Sequence, residues 1–255
     1  APTPEPTEIP TSEPTPDSDA QYFLSEDGEQ YELDFENGHW WYKNRVLSID
    51  IVRVSTQYQE NAPLVYYAAD IRMREYSSYR SGVHSDSSQP WRFVRIDHAV
   101  FGITGDNLDR SDTGWKGIII RSGVPYATHG TQDSLAVCDD MTLRIIHGAE
   151  TPLRALHDSG IRDVYSFGPT LIENGAVREN LQHHVSYPNP RCGIGMVVPG
   201  HWVVIITDGR QIGYSHSISL EFFAQLFLDR GCVMAYNLDG GASTGMCIMG
   251  EAINQ

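Results

Sequence analysis

Short apolar runs that end in polar breaks recur along this chain, and they constrain its fold more than any other feature. The runs are rich in aromatic and β-branched residues and only a few residues long, which is typical of β-strands. In the first half we predict an antiparallel sheet with strands over residues 31–35, 40–42, 49–55 and 64–72. Three more strands are predicted over residues 94–104, 116–122 and 134–138.

The middle of the chain mixes helical and strand patterns. A helix is predicted over residues 152–159, with Gly160 as its stop. A strand over residues 163–167 is predicted to continue through residues 170–173 to a hairpin turn at Asn174-Gly175.

The clearest helix follows a strong strand over residues 201–207. Ser219 is its predicted N-cap, apolar residues recur at helical spacing from Leu220, and Gly231 ends it. Another strand follows from Cys232. Because this strand, helix and strand have the length of a crossover connection, the two strands are predicted to be parallel neighbours. The predicted fold class is α+β, with mixed β-sheets and a few flanking helices in a single domain over residues 21–255.

Composition limits the partners of such a domain. Hydrophobic residues make up 40% of the chain, which is enough for a substantial core. No uncharged apolar segment reaches the roughly 18 residues that a membrane span needs. The formal net charge is −15, and Lys and Arg are few and scattered. We therefore expect no nucleic-acid partner and no transmembrane segment.

Residues 1–20 differ from the rest of the chain. They hold six of its fourteen prolines, five acidic residues and no basic residue. This composition is typical of a disordered, extended linker, which we call the tether. Such tracts commonly separate an exported domain from an anchor, so we expect a secreted or cell-surface protein of bacterial origin. The alternative is a linker between two intracellular domains.

The cysteine pattern does not indicate a structural zinc site. Cys138, Cys192, Cys232 and Cys247 show neither Cys-x-x-Cys spacing nor the Cys/His spacing of zinc ligands. We predict small buried thiols. The alternative is a disulfide between Cys232 and Cys247, which flank the most unusual turn of the chain.

That turn is Asp239-Gly240-Gly241. Its aspartate is one of three carboxylates that lie at predicted strand ends, each beside a glycine: Asp106, Asp208 and Asp239. If the strands end at one edge, the carboxylates meet in one crevice, where open α/β sheets bind ligands. Paired carboxylates suit an oxocarbenium-like transition state, and the guanidinium groups of Arg191 and Arg210 suit phosphate oxygens. The alternative is a set of ordinary turns with surface charges.

The turn after Asp239 has chemistry of its own. Gly240 and Gly241 let the backbone bend sharply and present bare N–H groups, which can receive a phosphate or a sugar hydroxyl. Asn237 and Ser243 would cluster around it. Asp-Gly and Gly-Gly are also common in hairpin turns, so a plain hairpin is the alternative.

The order of these motifs resembles the phosphodiester glycosidase family, which contains the uncovering-enzyme-like N-acetylglucosamine-1-phosphodiester α-N-acetylglucosaminidases. The resemblance extends over about residues 60–255. It is carried by Gly105-Asp106, Ser166-Phe167-Gly168-Pro169, Asn189-Pro190-Arg191-Cys192-Gly193-Ile194-Gly195, residues 203–210, Ser215 and Asn237-Leu238-Asp239-Gly240-Gly241.

The resemblance implies a hydrolase that cleaves the bond between a sugar's anomeric carbon and a phosphodiester, acting on a carbohydrate or glycan substrate. It implies no definite cofactor, and a divalent cation stays open. Catalysis is expected from Asp239 together with Asp208 or Asp106. Binding of phosphate or sugar oxygens is expected from Arg191, Arg210, Asn237, Ser215, Ser243 and the backbone of Gly240 and Gly241.

The sequence departs from the family pattern at two places. Ala242 stands where a third glycine is usual, Ser243-Thr244-Gly245 replaces Ser-Ser-Thr, and Asn107 replaces an aromatic residue that could stack on a sugar ring. Two other functions therefore stay open. One is a non-catalytic glycan- or wall-binding module, and the other is a metal-dependent phosphodiesterase with the three aspartates as ligands.

Overall fold

Antiparallel β-sheets dominate the computed structural model, which describes residues 20–83, 90–106, 117–128, 132–148, 159–181 and 187–255. Within these ranges the helices are α1 (Pro90–Ile96) and α2 (Leu220–Leu228), and short 3-10 turns span Tyr76–Ser78 and Gly241–Ser243. The strands are β1 (Gln30–Asp34), β2 (His39–Lys43), β3 (Leu47–Gln59), β4 (Ala62–Met73), β5 (Phe101–Ile103), β6 (Ile119–Arg121), β7 (Val124–Ala127), β8 (Ser134–Cys138), β9 (Leu143–Ile146), β10 (Ile161–Tyr165), β11 (Thr170–Glu173), β12 (Ala176–Val177), β13 (Arg191–Val198), β14 (His201–Thr207), β15 (Met234–Leu238), β16 (Met246–Ile248) and β17 (Glu251–Ala252).

The largest sheet has nine strands in the order β1-β2-β3-β4-β14-β13-β15-β11-β12. Its first four strands form the antiparallel meander predicted from the first half of the sequence. Strand β4 then pairs with β14, from Arg72 opposite His201 to Tyr66 opposite Thr207. The first half of the chain therefore continues directly into the sheet that carries the later motifs.

Strands β14 and β15 are parallel but are not neighbours, so that prediction was wrong. Strand β13 lies between them and pairs antiparallel with both. The reason is local, because β13 and β14 form a hairpin whose turn contains Gly200 at φ 77°, and this hairpin occupies the edge that β15 was expected to take. The ends of β14 and β15 still lie at one edge of the sheet, on either side of the start of β13.

The remaining strands form a five-stranded sheet, β7-β6-β10-β8-β9, and a three-stranded sheet, β17-β16-β5. Every strand pairing among the described residues is antiparallel, so the predicted α+β class with mixed sheets is corrected to a mainly β fold. Strand β11 does not continue β10, because the chain crosses between two sheets at residues 166–169. Its hairpin with β12 at Asn174-Gly175 is confirmed.

One predicted strand begins as a helix. Residues 94–96 belong to α1, and β5 starts only at Phe101. Pro90 occupies the first helical position, which suits its fixed φ angle, while Val94 is the residue that α1 buries. The helix predicted over residues 152–159 and the tether lie almost entirely outside the described residues.

Both faces of the nine-stranded sheet are covered. On one face α2 buries Leu220, Phe223 and Phe227, and its N-cap Ser219 accepts a hydrogen bond from the Phe222 backbone N–H (3.2 Å), as predicted. The other face packs Trp40, Tyr67, Trp202 and Tyr236 against strands of the five-stranded sheet. This packing fixes the edge at which β13, β14 and β15 meet.

All four cysteines are buried and free, as predicted, and no disulfide joins Cys232 to Cys247. Neither of the two helices in the described part of the chain has the length and apolar character needed to cross a membrane.

Candidate functional site

The turn after Asp239 is pressed against the first residues of β13. The Gly241 backbone N–H donates to the Pro190 carbonyl oxygen (2.9 Å). A Cβ atom at Gly240 would lie 2.6 Å from that same oxygen, so no larger residue fits there. After a 3-10 turn the chain enters β16, which belongs to another sheet. The turn is therefore not a plain hairpin but a connection between two sheets.

Asp239 and Asp106 are brought together at this turn. The Asp239 backbone N–H donates to the Gly105 carbonyl oxygen (2.9 Å), which ties the end of β15 to the loop after β5. Burial raises the pKa of the Asp239 carboxyl, and the negative charge of Asp106 raises it further. Hydrogen bonds from Ser243 and from the Gly240 N–H act in the opposite direction. Asp239 therefore retains a proton at higher pH than an ordinary aspartate does.

Asp106 itself is held in an internal ion pair. Its carboxylate accepts hydrogen bonds from the Arg121 guanidinium and from the Ser166 backbone N–H (2.8 Å). The guanidinium also donates to the Val164 carbonyl oxygen and lies 3.6 Å over the ring of Tyr165. The side chains of Asp106 and Arg121 are only 1% and 5% exposed. Burial raises the pKa of Asp106, and the neighbouring guanidinium opposes that rise.

Asp208 lies at the end of β14 and has a different set of partners. Its carboxylate accepts hydrogen bonds from the Tyr214 hydroxyl (3.0 Å) and from the Gln255 backbone N–H (3.2 Å). Burial raises its pKa, while hydrogen bonds from Tyr214, Gln255, Asn254 and Tyr67 lower it. Asp208 is thus a buried carboxyl group held by several donors.

The two predicted phosphate-binding arginines lie in different environments. The Arg191 side chain is buried and donates to the carbonyl oxygens of Ile218 (3.2 Å) and Tyr187 (2.8 Å). Burial lowers its pKa to about 10. Arg210 is exposed and donates to the Asn189 side-chain oxygen (2.6 Å). Within the described ranges Arg210 has no carboxylate partner, and its guanidinium lies next to Gly241.

An open cleft of about 420 Å³ lies beside the Gly241 turn. Asp208 and Arg210 contribute its charged groups, and Gly241, Ala242, Thr244 and Trp91 contribute further lining. Asp239 does not line this cleft directly, but it immediately precedes the turn that does. The arrangement can hold an anionic group at Arg210 while a hydroxyl-rich group contacts the polar strand ends.

The remaining predicted site residues have mainly internal partners. The Asn237 amide donates to the Gly168 carbonyl oxygen (2.7 Å), and its side-chain oxygen has no partner among the described residues. The Ser215 hydroxyl accepts from the Val65 N–H (2.9 Å) and donates to the Asp208 carbonyl oxygen (2.9 Å). These two side chains connect loops at the strand ends, whereas Ser243 lies beside the Asp239 carboxyl.

The three aspartates do not form a metal-binding set. Across the described ranges no group of three His, Cys, Asp or Glu side chains is arranged to hold a metal ion. Asp106 in particular already neutralises Arg121, so it has little capacity left as an oxygen ligand. Within the described ranges these residues do not fit the divalent cation that the sequence left open.

Arg121 and Trp91 were not identified from the sequence. Arg121 follows the apolar run Ile118-Ile119-Ile120, and a single basic residue at the end of a buried strand is a usable signal for an internal ion pair. Trp91 precedes the predicted strand over residues 94–104, whose first three residues proved to belong to α1. Nothing in its neighbourhood indicated that it would line the cleft.

Comparison with known proteins agrees with this fold. Residues 97–255, more than half of the chain, match the phosphodiester glycosidase family, and the chain belongs to that family. One solved structure with the same fold is the catalytic domain of zebrafish N-acetylglucosamine-1-phosphodiester alpha-N-acetylglucosaminidase, auto-inhibited by its pro-peptide. Its TM-score is 0.61 at 15% identity, over 88% of this chain and 79% of that one.

Two further relatives have no activity in their names. A hypothetical protein from Synechocystis has a TM-score of 0.59 at 12% identity, over 91% of this chain and 61% of that one. The SPbeta prophage-derived uncharacterized protein YomE of Bacillus subtilis (strain 168) is 29% identical over 156 residues, or 56% of this chain. The aligned region spans about a quarter of YomE, 24% of its length.

Proposed function

We propose that this protein hydrolyses the glycosidic bond of a sugar-1-phosphodiester of the N-acetylglucosamine-1-phosphate type, with the cleft beside the Gly241 turn as its active site. Family membership supports the reaction class. The observation that carries the proposal is the position of Arg210, a cation with no carboxylate partner among the described residues. It lies beside the glycine turn that follows Asp239 and lines the same cleft as Asp208.

In this proposal Arg210 binds the phosphate group. A planar guanidinium forms paired hydrogen bonds with phosphate oxygens and stabilises the charge that grows as the glycosidic bond breaks. The bond between the anomeric carbon and the phosphate oxygen breaks, and the oxygen leaves with the electron pair. Because phosphate is a good leaving group, binding its charge matters more than protonating it.

Asp239 is assigned to the water that replaces the phosphate. In its ionised form the carboxylate accepts one proton from water as the water oxygen bonds to the anomeric carbon. The products are the free sugar and a phosphomonoester. The raised pKa makes Asp239 a stronger base than an ordinary aspartate, which suits this role.

The other candidates are assigned according to their partners. Asp208 lines the cleft and is assigned to sugar hydroxyls. Binding of substrate by Ser243 stays a prediction, whereas the N–H groups of Gly240 and Gly241 already donate to the Asp239 carboxyl and to the Pro190 carbonyl oxygen. Asp106 is assigned to positioning, because its ion pair with Arg121 and its hydrogen bond from Ser166 join the loop after β5 to the ends of β6 and β10. A direct role for Arg191 in phosphate binding stays a prediction, and its carbonyl contacts favour support of the adjoining loops.

A screen of sugar-1-phosphodiesters, with product identification by mass spectrometry, tests the proposal. We expect release of free sugar and phosphomonoester by the wild type. Arg210→Ala removes the proposed phosphate contact. We expect it to lower kcat/KM by at least about 10-fold, the equivalent of about 1.4 kcal/mol. The matched control is Arg45→Ala, which removes an exposed arginine paired with Asp27 on the meander and should leave kinetics unchanged.

Two results would lead to another assignment. Saccharide binding by calorimetry without turnover of any substrate would favour a glycan-binding module. Turnover that is equal in the wild type and in Asp239→Asn would remove Asp239 from the reaction.

The proposed site of action is extracellular, on a secreted or surface-bound protein, and rests on the composition of the tether. Fractionation of the native host with an antibody to the domain tests that location.

A further inference from the structure

Helix α1 packs against the three-stranded sheet that follows the Gly241 turn. Pro90 packs so closely on Gly245 that a Cβ atom at position 245 would lie 2.8 Å from the proline Cγ. At the other end of the helix, Arg95 donates to the Gly250 carbonyl oxygen (3.1 Å) and pairs with Glu251 (3.1 Å). The position of α1 relative to residues 241–245 is therefore set by contacts at both of its ends.

The second residue of α1 is Trp91, which lines the cleft together with Ala242 and Arg210. Its side chain is partly exposed, and it has neither a hydrogen-bond partner nor a ring partner among the described residues. None of the contacts that hold α1 in place uses the indole. The helix therefore holds a large, flat apolar ring at the cleft, and this ring is available to contact a ligand.

We propose that Trp91 is the stacking platform for the pyranose ring of the substrate. This inference rests on the proposed function and extends it to the sugar subsite. A pyranose carries hydroxyls around its edge and C–H groups on its faces, so a site needs polar groups at the edge and an apolar surface below one face. Asp208 supplies a polar group, and the indole supplies the apolar surface.

The position of Trp91 in the chain gives this platform a particular significance. It lies before residue 97, where the match to the family begins. The carboxylate, the glycine turn and Arg210 all lie within the matched residues, whereas the proposed stacking surface does not. Trp91 therefore lies apart in the chain from the groups proposed to break the bond.

Kinetics with paired substrates test the inference. Trp91→Ala and Trp91→Phe are compared with the wild type on N-acetylglucosamine-1-phosphate esters with a methyl or a uridine aglycone. We expect Trp91→Ala to raise KM about 10-fold on both esters, the equivalent of about 1.4 kcal/mol, with kcat changed less than about 3-fold. Trp91→Phe should retain most of the affinity. Trp41→Ala, which removes a tryptophan of β2 that does not line the cleft, is the control.

A binding measurement separates failure of the inference from failure of the proposed function. Titration with free N-acetylglucosamine should change the tryptophan fluorescence of the wild type and of Trp41→Ala but not of Trp91→Ala. If no ester is hydrolysed but this signal is seen, the reaction is wrong and the sugar platform stands. A KM effect confined to the uridine ester, an unchanged KM, or a fluorescence response that persists in Trp91→Ala would overturn the inference. So would the absence of any response in the wild type.

Discussion

Replacing Arg121 with methionine is the sharpest test of how the site is held together. The substitution keeps an unbranched apolar side chain of similar length but removes the guanidinium that Asp106 faces. The Asp106 side chain is 1% exposed, so its carboxylate cannot turn to water for compensation. After the substitution its named partner is the Ser166 backbone N–H, which lies 2.8 Å away.

The expected loss follows from this burial. Breaking a buried ion pair by removing one partner costs about 3–5 kcal/mol, because the remaining charge is left uncompensated. For a domain of this size about 1 kcal/mol lowers Tm by roughly 2–4 °C, so a fall of about 6–20 °C is expected. Asp106→Asn should cost less, about 1–3 kcal/mol, since Arg121 keeps the Val164 carbonyl oxygen and the Tyr165 ring as partners.

The assay is urea unfolding of both single variants and the double variant Arg121→Met/Asp106→Asn at two pH values. Without Arg121 the folded-state pKa of Asp106 lies further above its unfolded value, so stability is lost as pH rises through that folded pKa. The penalty of Arg121→Met should therefore be smaller at pH 5 than at pH 8. The double variant should recover part of the loss, because no buried charge is left alone.

Two results would refute this reasoning. One is a loss in Arg121→Met below about 1 kcal/mol, which is typical of exposed pairs. The other is a loss that is equal at both pH values, since an uncompensated carboxylate must respond to protonation. Either result would mean that Asp106 reaches solvent or another cation in the folded protein.

Three further expectations follow from other contacts described above. Because burial raises the pKa of Asp239 above 3.8, kcat/KM of the wild type should fall as pH is lowered through that raised value. Asp239→Asn should show about 100-fold less turnover, and its pH–rate profile should lack this acidic fall. Gly240→Ala places a methyl group 2.6 Å from a carbonyl oxygen and should cost about 1–3 kcal/mol in urea unfolding, whereas Gly82→Ala meets nothing nearer than 3.6 Å and should be nearly neutral. Ser219→Ala removes the α2 cap and should lower stability by about 1 kcal/mol, with unchanged turnover.

Local pattern was sufficient to predict most of the strands. The strand over residues 134–138 and the helix capped by Ser219 were placed within a residue or two, because periodicity and capping are local properties. The prediction that β15 pairs with β14 was wrong, because a local hairpin partner, β13, occupies that edge in place of the crossover partner. Residues 94–96 of α1 were assigned to a strand because Val94 and Ile96 favour strands by propensity, whereas in the structure the helix packs Val94 on Gly102.

The residues of the candidate site could be selected from the sequence only in part, and their functional roles stay predictions. Asp239 and the glycine turn carry their chemistry in consecutive residues, so the sequence indicated them directly. The buried pair of Asp106 and Arg121 joins residues on either side of positions 107–116, and only the tertiary structure shows that each neutralises the other. Arg191 and Arg210 both looked like phosphate ligands, and burial is what distinguishes them.

The pairing of β4 with β14 also limits how this domain can be divided. Strand β4 ends at Met73, well before the family match begins at residue 97, yet it covers one entire edge of β14. A fragment cut at residue 97 would expose the backbone donors and acceptors of an apolar strand whose residues 202–207 are buried in the intact chain. Such an open edge recruits strands from other molecules and leads to aggregation. The meander therefore keeps the edge of the strand that ends at Thr207 paired, and fragments of this chain need to retain it.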